Sequence, residues 1–433
     1  MAASTATAEP PTRDRPRRPR SIRRAVPAFV WLWLATRVIL LVVSLNPRLY
    51  STDLYGDVRA YGAKSERMFQ GELPYRDVAI EYPPGSVPFT LVPGLVVGTG
   101  AGYRLAFVVE MMLVDALGLY AAWRLARAAD RGRSRIPLAY ILGMLAVGPL
   151  LVLRFDLVPA VCVLLAAAFA AEGRAGPSAA ALGYGAAAKL FPAVLAPLLV
   201  LGLVPTLGWW RSLRRTVPAF LLGFGLTVVP ALLISAMGTL DSLLYHVRRG
   251  VQIESLPANV IDLAHFAFGL RVHTIHGFGA FDLDSSVSGT MKLVSTGATA
   301  VTLAGAAWLV YRHASRSGGL GPADWAAVFA IGMFAFVLPT RVLSPQYLVW
   351  LVAPVAGLAG RRLGRGALWA LAAAAVLSQV EFPFRYSQLR HLDWIDVGVL
   401  TCRNLLLILA CALVVRAVVA GHAAASASGR TGA

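Results

Sequence analysis

The chain has 433 residues, 57% of them hydrophobic and 14% charged, with a mean hydropathy of +0.65. A soluble domain carries about 25% charged and 45–50% apolar residues, so much of this chain has lipid as its solvent. The net charge of +18 falls mainly as short Arg runs between apolar stretches, as the positive-inside rule expects of cytoplasmic loops. Nucleic-acid binders gather charge on one folded face, and no nucleic-acid partner is expected. Cys162, Cys402 and Cys411 lie in apolar spans with no CxxC and no Cys/His spacing, so neither a disulfide framework nor a zinc site is suggested.

Residues 1–24 are polar and rich in Pro and Arg, a composition that predicts a disordered segment, and their Arg cluster places this end in the cytoplasm. The apolar run 25–45 is too long for a signal-peptide core and lacks a cleavage site, so it is read as the first membrane helix. A single transmembrane domain then covers 25–417. Its first outer loop, 46–102, contains a short Pro-broken apolar piece (86–97) placed at the outer interface, because spanning there would put Arg124, Arg127, Arg131, Arg133 and Arg135 outside. Helices follow at 103–126, 136–153 and 157–171. The stretch 178–204 is too long for one span and too short for two, and it bends at Lys189-Leu190-Phe191-Pro192. A pair of half-depth helices accommodates it, since helix-breaking backbone at membrane depth is tolerated where it lines a protein cavity. Further helices are expected at 217–237, 287–311, 325–338, 347–360 and 368–380, with a last one returning to Arg416. The second large outer loop is 238–286, and 418–433 is read as a disordered cytoplasmic tail. The fold class is thus all-α and polytopic, with about 12 membrane helices and interfacial helices in the first outer loop. The Ala, Gly, Arg and Pro usage is that of a high-GC bacterial genome, which makes the expected location a plasma membrane.

Acidic residues are scarce and concentrate in the inferred outer loops: Asp53, Asp57, Glu66, Glu72, Asp77 and Glu81 share the first. A carboxylate just beyond a membrane helix can deprotonate an acceptor hydroxyl in an interfacial cleft, or it is a solvated loop acid. Lys189 is the one Lys deep in an apolar stretch; it either snorkels to the interface or stabilises charge developing on a departing phosphate. Arg341 is a second such cation. His246-Val247-Arg248-Arg249 with Gln252 and Glu254 either binds phosphate or sugar hydroxyls, Glu254 pairing an Arg, or forms an ordinary amphipathic surface helix. Arg154 and Asp156 are read as a local pair, structural or substrate-binding. His265, His273 and His276 do not make a metal site, and no metal or cofactor is expected. The absence of GxxxxGK[ST] and of loops long enough for a Rossmann unit favours a lipid-linked over a nucleotide-linked donor.

The run Gly56-Asp57, Tyr61, Gly71, Pro74-Tyr75 and Tyr82-Pro83-Pro84 resembles the first outer loop of the glycosyltransferase C superfamily, most closely glycosyltransferase family 87, the polyprenyl-phosphate-mannose-dependent α-mannosyltransferases. The resemblance continues through Arg154-Phe155-Asp156, Lys189-Leu190-Phe191-Pro192 and Ser344-Pro345-Gln346-Tyr347. It implies a helical membrane enzyme that takes a sugar, mannose first, from a polyprenyl-phosphate donor. Transfer is with inversion, at the outer face, to a glycolipid or cell-envelope glycan. By the same resemblance Asp57 is the catalytic base, with Asp53 held in reserve. Lys189, Arg341, His246 and Arg249 surround the donor phosphate, and Tyr61, Tyr75, Glu81 and Tyr82 join Asp53 as substrate-binding candidates. The competing expectation is a transporter or flippase, which shares many helices and intramembrane charge. Acids gathered in an outer loop, instead of ionisable pairs near the midplane, count against it.

Overall fold

The computed structural model describes residues 26–46, 48–50, 52–129 and 135–428. The basic segment 1–24, Arg131 and Arg133, on which part of the inside placement rests, lie outside the described residues. The protein is an all-α polytopic membrane protein that also carries, among the described residues, one small β-hairpin. Helix α1 (Ala28–Leu45) leads through α2 (Gly56–Phe69) and α3 (Val87–Val97) to α4 (Tyr103–Ala128). The helix expected over 136–153 is two pieces, α5 (Arg135–Val147) and α6 (Leu150–Leu153). Gly148, at φ +67°, takes a left-handed turn that costs other residues more, and Pro149 has no N–H with which to continue the helix.

Next come α7 (Leu157–Ala171), α8 (Ala175–Ala188) and α9 (Ala196–Leu207). Lys189 is extended and Phe191–Leu195 forms a 3-10 turn, so α8 and α9 are the two short helices that the sequence places around this bend. Pro192 explains the break, since it cannot donate to α8. Then α10 (Trp209–Ile234) begins well before residue 217, followed by α11 (Ala236–Arg248), α12 (Leu256–Phe268) and a hairpin of β1 (Val272–Gly277) and β2 (Ala280–Ser285). The hairpin was not expected in the second loop. Its strands are antiparallel, with Val272 opposite Ser285 and Gly277 opposite Ala280. Phe278 and Gly279, both at positive φ (53° and 68°), make the two-residue connection that matches strand twist. The chain ends with α13 (Ser288–Arg316), α14 (Asp324–Val337), α15 (Leu348–Ala356), α16 (Arg362–Gln379), α17 (Tyr386–Arg390) and α18 (Trp394–Ser428), which continues beyond residue 418.

Among the described residues six helices are long and apolar enough to cross a membrane, and six apolar segments are shorter. Three of the short helices, α7, α14 and α15, are buried on nearly every side, as helices apolar all round must be. The long α1, α10 and α13 instead bury only 22%, 17% and 17% of their apolar windows, so they present Leu, Val and Ile to lipid. The helices α8 and α10 cross closely at Gly183 and Gly223, where an added Cβ would meet Phe220 O at 2.1 Å and Ala180 O at 2.2 Å. Small residues at such crossings let backbones approach in the absence of a water-driven hydrophobic effect.

The loops sort onto two ends. At one, Arg124 pairs with Glu172 (Nε–Oε1 2.7 Å) and Arg361 with Asp324 (2.6 Å). At the other, the loops around residues 54, 154, 189, 250, 342 and 385 meet one another. These six are the segments that the sequence groups on a common, outer side.

Candidate functional site

Asp57 lies in the first turn of α2, where a carboxylate is favoured by the helix dipole. Its Oδ2 lies 2.8 Å from Arg154 Nε in an ion pair; Arg154 is 5% exposed and Asp57 37%. Arg154 Nη1 also donates to Leu54 O (2.9 Å) and Leu153 O (3.0 Å), so the guanidinium is fixed and the carboxylate turns toward an opening. Two residues on, Asp156 Oδ1 accepts from Lys189 Nζ at 2.7 Å, with both side chains buried. Arg154 and Asp156 are therefore not a local pair: each reaches across to a different loop. Phe155 between them packs edge-on to Tyr82, with ring centroids 4.6 Å apart.

Lys189 sits among four rings, with Nζ 4.9 Å from the centroid of Tyr347, 5.1 Å from Trp350, 5.3 Å from Tyr82 and 5.5 Å from Phe155. Ring faces attract a desolvated cation, and the Asp156 carboxylate neutralises it. Lys189 is thus held by the protein rather than snorkelling to the interface.

Lys189, His246, Arg249 and Arg341 line one cavity of about 570 Å³, whose remaining wall includes Leu190, Val194, Leu303, Phe336, Val342 and Trp350. Four nitrogen-bearing side chains at one end of an apolar chamber suit an anion with a hydrocarbon tail. Arg249 is buried and its Nε has no partner. Arg341 is oriented by Val247 O (Nη2, 2.7 Å) and Thr296 Oγ1 (Nη1, 3.3 Å). Burial, then Lys189 and Arg249, push His246 down to about 4, so it is neutral at pH 7 and offers hydrogen bonds rather than charge.

Asp57 lines a second, polar cavity of about 390 Å³ with Arg154, Gln252, Glu254, Ser344, Tyr386 and Arg390. The segment 249–254 borders both chambers. It leaves the helix after Arg248, which corrects the amphipathic-helix alternative for this stretch. Val251 and Ile253 are fully buried, Gln252 N donates to Arg341 O (2.9 Å), and Gln252 Nε2 donates to Ser344 Oγ (3.0 Å). Gly250 is required here, because a Cβ would lie 2.4 Å from Asp282 Oδ2.

The other sequence candidates have different surroundings. Tyr61 is wholly buried among Tyr82, Phe107 and Phe155 and lines neither cavity, which makes it packing beneath Asp57. Tyr75 is buried, at φ 65°, and donates its hydroxyl to Tyr82 O (2.8 Å); it braces the loop. Glu81 pairs with Lys64. Tyr82 contributes a ring to the Lys189 enclosure. Asp53 falls in the turn Thr52–Tyr55, and its side chain lies outside the described residues. Among the described residues no group of His, Cys, Asp and Glu is arranged to hold a metal.

Several polar residues of this end have no place in the motif reading. Arg403 and Glu381 are fully buried, with 3.7 Å between Nη2 and Oε2, and Arg403 Nη2 donates to Glu254 O (2.7 Å). Arg390 stacks on Phe281 at 3.8 Å. A charged residue within an apolar span, such as Arg403, was the available signal. A further buried pair, Arg37–Asp115 (2.7 Å), joins the middles of α1 and α4.

No protein-family model matches the chain, and no curated protein matches it. Among solved structures it is similar to ArnT from Cupriavidus metallidurans bound to undecaprenyl phosphate, at 19% identity, covering 91% of this chain and 78% of that one, with a TM-score of 0.48. A likeness of that degree carries no inference about the site.

Proposed function

We propose that this chain is an inverting glycosyltransferase that moves a sugar from a polyprenyl-phosphate donor to a lipid-linked or envelope glycan. Mannose is the first sugar to test, on the family 87 resemblance of its motifs. The observation that carries the reading is the shared border of two unlike chambers. Asp57 opens into the polar one and the cations into the apolar one, with Arg154-Phe155-Asp156 tying Asp57 to Lys189. The donor's tail occupies the apolar chamber and its phosphate meets Arg249 and Arg341. Asp57 takes the proton of an acceptor hydroxyl, and that oxygen attacks the anomeric carbon from the face opposite the phosphate. The carbon–oxygen bond to phosphate breaks, and the electron pair leaves with polyprenyl phosphate, whose charge the arginines stabilise. Arg154 orients the base throughout. On this reading the site faces the outside of a plasma membrane, the N-terminus is cytoplasmic, and no metal is required.

The test is transfer from labelled polyprenyl-phosphate-mannose and related donors into a membrane-lipid extract by purified protein, beside Asp57→Asn. Label entering a glycolipid with wild type, and lost by about 100-fold or more in the variant, is the expected result. Transfer that survives the substitution would remove Asp57 as base. Transfer of no sugar at all would remove the transferase reading.

The pair Arg37–Asp115 is what a transporter or flippase would contain. Its groups are already matched, however. Asp115 Oδ1 accepts from Tyr140 (2.9 Å) and Arg37 Nη2 (3.2 Å), Oδ2 accepts from Arg37 Nε (2.7 Å), and Arg37 Nη1 reaches Ile141 O (3.3 Å). Neither residue lines the two chambers, which favours a structural clamp between helices.

A further inference from the structure

The polar chamber contains two buried oxygens with no partner. Gln252 is 1% exposed and Glu254 2%, and both line the cavity that holds Asp57. Gln252 Nε2 donates to Glu254 Oε2 (2.8 Å) and to Ser344 Oγ (3.0 Å). That leaves Gln252 Oε1 and Glu254 Oε1 unmatched. Buried polar atoms nearly always have a partner, and each exception calls for an explanation such as function or a bound molecule. The backbone bearing them is fixed at Arg341 O and by Arg403, so the two oxygens are held at a set spacing rather than free to turn away.

We infer that Gln252 and Glu254 read the donor's sugar, hydrogen-bonding its ring hydroxyls through these two oxygens, and that they select a neutral hexosyl unit. The inference rests on the glycosyl-transfer reading and adds the specificity element to it. Hydroxyls fit because each can both donate and accept, matching an amide oxygen and a carboxyl together. A sulfate or carboxylate group on the sugar would bring no hydrogen for Gln252 Oε1. A cationic amino sugar would face three arginines, Arg59, Arg154 and Arg390, against two acids, Asp57 and Glu254, in the same chamber. The donor is favoured over the acceptor by the chain path. Arg249, at the phosphate end, is followed by three residues that lead into the polar chamber, so a sugar esterified to a phosphate at Arg249 lies along the strip that ends in Glu254.

The experiment compares wild type, Glu254→Leu and Glu254→Gln with neutral hexosyl polyprenyl phosphates, monodeoxy versions of the best one, and a uronic acid analogue. Two quantities are read: the transfer rate, and the thermal stabilisation given by each donor beyond that given by polyprenyl phosphate alone. A site built to bond a hydroxyl rejects the analogue lacking it strongly, because its buried atoms are left unpaired. Wild type should therefore disfavour one or two deoxy donors by about 100-fold or more, Glu254→Leu by less than about 3-fold, and Glu254→Gln by an intermediate factor. The sugar-dependent stabilisation should disappear in Glu254→Leu. Gln252→Ala carries the same comparison should that variant fail to fold. Intact transfer with equal discrimination in wild type and variants overturns the inference and leaves the transferase standing. Sugar-dependent stabilisation that needs Glu254, without transfer, keeps the inference and overturns the transferase. Neither transfer nor sugar-dependent stabilisation overturns both.

Discussion

Replacing Lys189 with Met tests whether this lysine is a phosphate ligand or a structural cation. Its Nζ lies 2.7 Å from Asp156 Oδ1, with side-chain exposures of 7% and 2%. At an effective dielectric of about 20 the direct attraction is roughly 6 kcal/mol, and desolvating the two ions offsets most of it. The net worth of the intact pair is therefore small, but removing one partner leaves Asp156 buried and alone, which costs about 3–5 kcal/mol. At roughly 2 °C per kcal/mol for a large chain, Lys189→Met should melt about 6–10 °C below wild type. Trp350, 5.1 Å from Nζ, contributes to the intrinsic fluorescence that follows unfolding in detergent. The double variant Asp156→Leu/Lys189→Met removes both charges and should recover most of the loss. Donor binding by that double variant then reports on the loss of the whole Lys189–Asp156 ion pair, free of the cost of a lone buried carboxylate. A single variant melting within about 1 °C of wild type would refute the buried-pair account. A double variant no more stable than the single would show that the rings or the bend, not the lone carboxylate, carry the cost.

Gly85→Ala should impair both folding and transfer, because its Cβ would lie 2.6 Å from the backbone of Ala187 and Ala188, just before Lys189. Misplacement of the bend predicts lower thermal stability and transfer reduced by about 10-fold or more; wild-type rates would mean that the loop and α8 move apart freely. Burial raises Glu254 to about 8 against an ordinary 4.5. Between those values the folded chain keeps a proton that the unfolded chain loses, so this residue's contribution to stability falls as pH rises. The melting temperature of Glu254→Gln minus that of wild type should therefore increase from about pH 4.5 to 8 and then level off. The opposite trend from His246, whose stability contribution is lost as pH falls from 6.5 toward about 4, is common to both proteins and cancels in the difference. A flat difference would place Glu254 in water.

The spans were legible because lipid leaves a composition signature, and because Arg runs mark one set of loops. The bend at Lys189 was legible too, since Pro192 and a lone lysine interrupt an apolar run. Partner choice was not. Arg154 and Asp156 lie two residues apart and read as a pair, yet Arg154 faces Asp57 and Asp156 faces Lys189. An extended backbone at Arg154 (φ −135°, ψ 140°) sends neighbouring side chains in different directions, and no spacing rule reveals that. Tyr61 shared a motif with Asp57 and lies one helical turn farther along the same face, but there Tyr82, Phe107 and Phe155 cover it, and no spacing rule names those neighbours. The hairpin had a signal, the turn-forming Gly277-Phe278-Gly279, but the stretch was read only as part of an outer loop.

The charges at the site divide into those already matched and those with capacity left. Asp156 neutralises Lys189, Asp57 holds Arg154, and His246 is neutral at physiological pH. Arg249 remains, buried with an unmatched Nε, beside Arg341, which bonds only a carbonyl and a hydroxyl. Asp282 lies close enough to temper Arg249, yet burial raises its own pKa, and its Oδ2 is bonded to Gly250 N (3.2 Å). A guanidinium with spare donors at the border of a hydrocarbon chamber suits a phosphate better than an ammonium already closed in by a carboxylate and four rings. On the proposed function, the phosphate role assigned from sequence to four residues concentrates on two arginines. Lys189 and His246 shape the pocket around them, and Arg249→Met should weaken donor binding more than loss of the Lys189–Asp156 pair does.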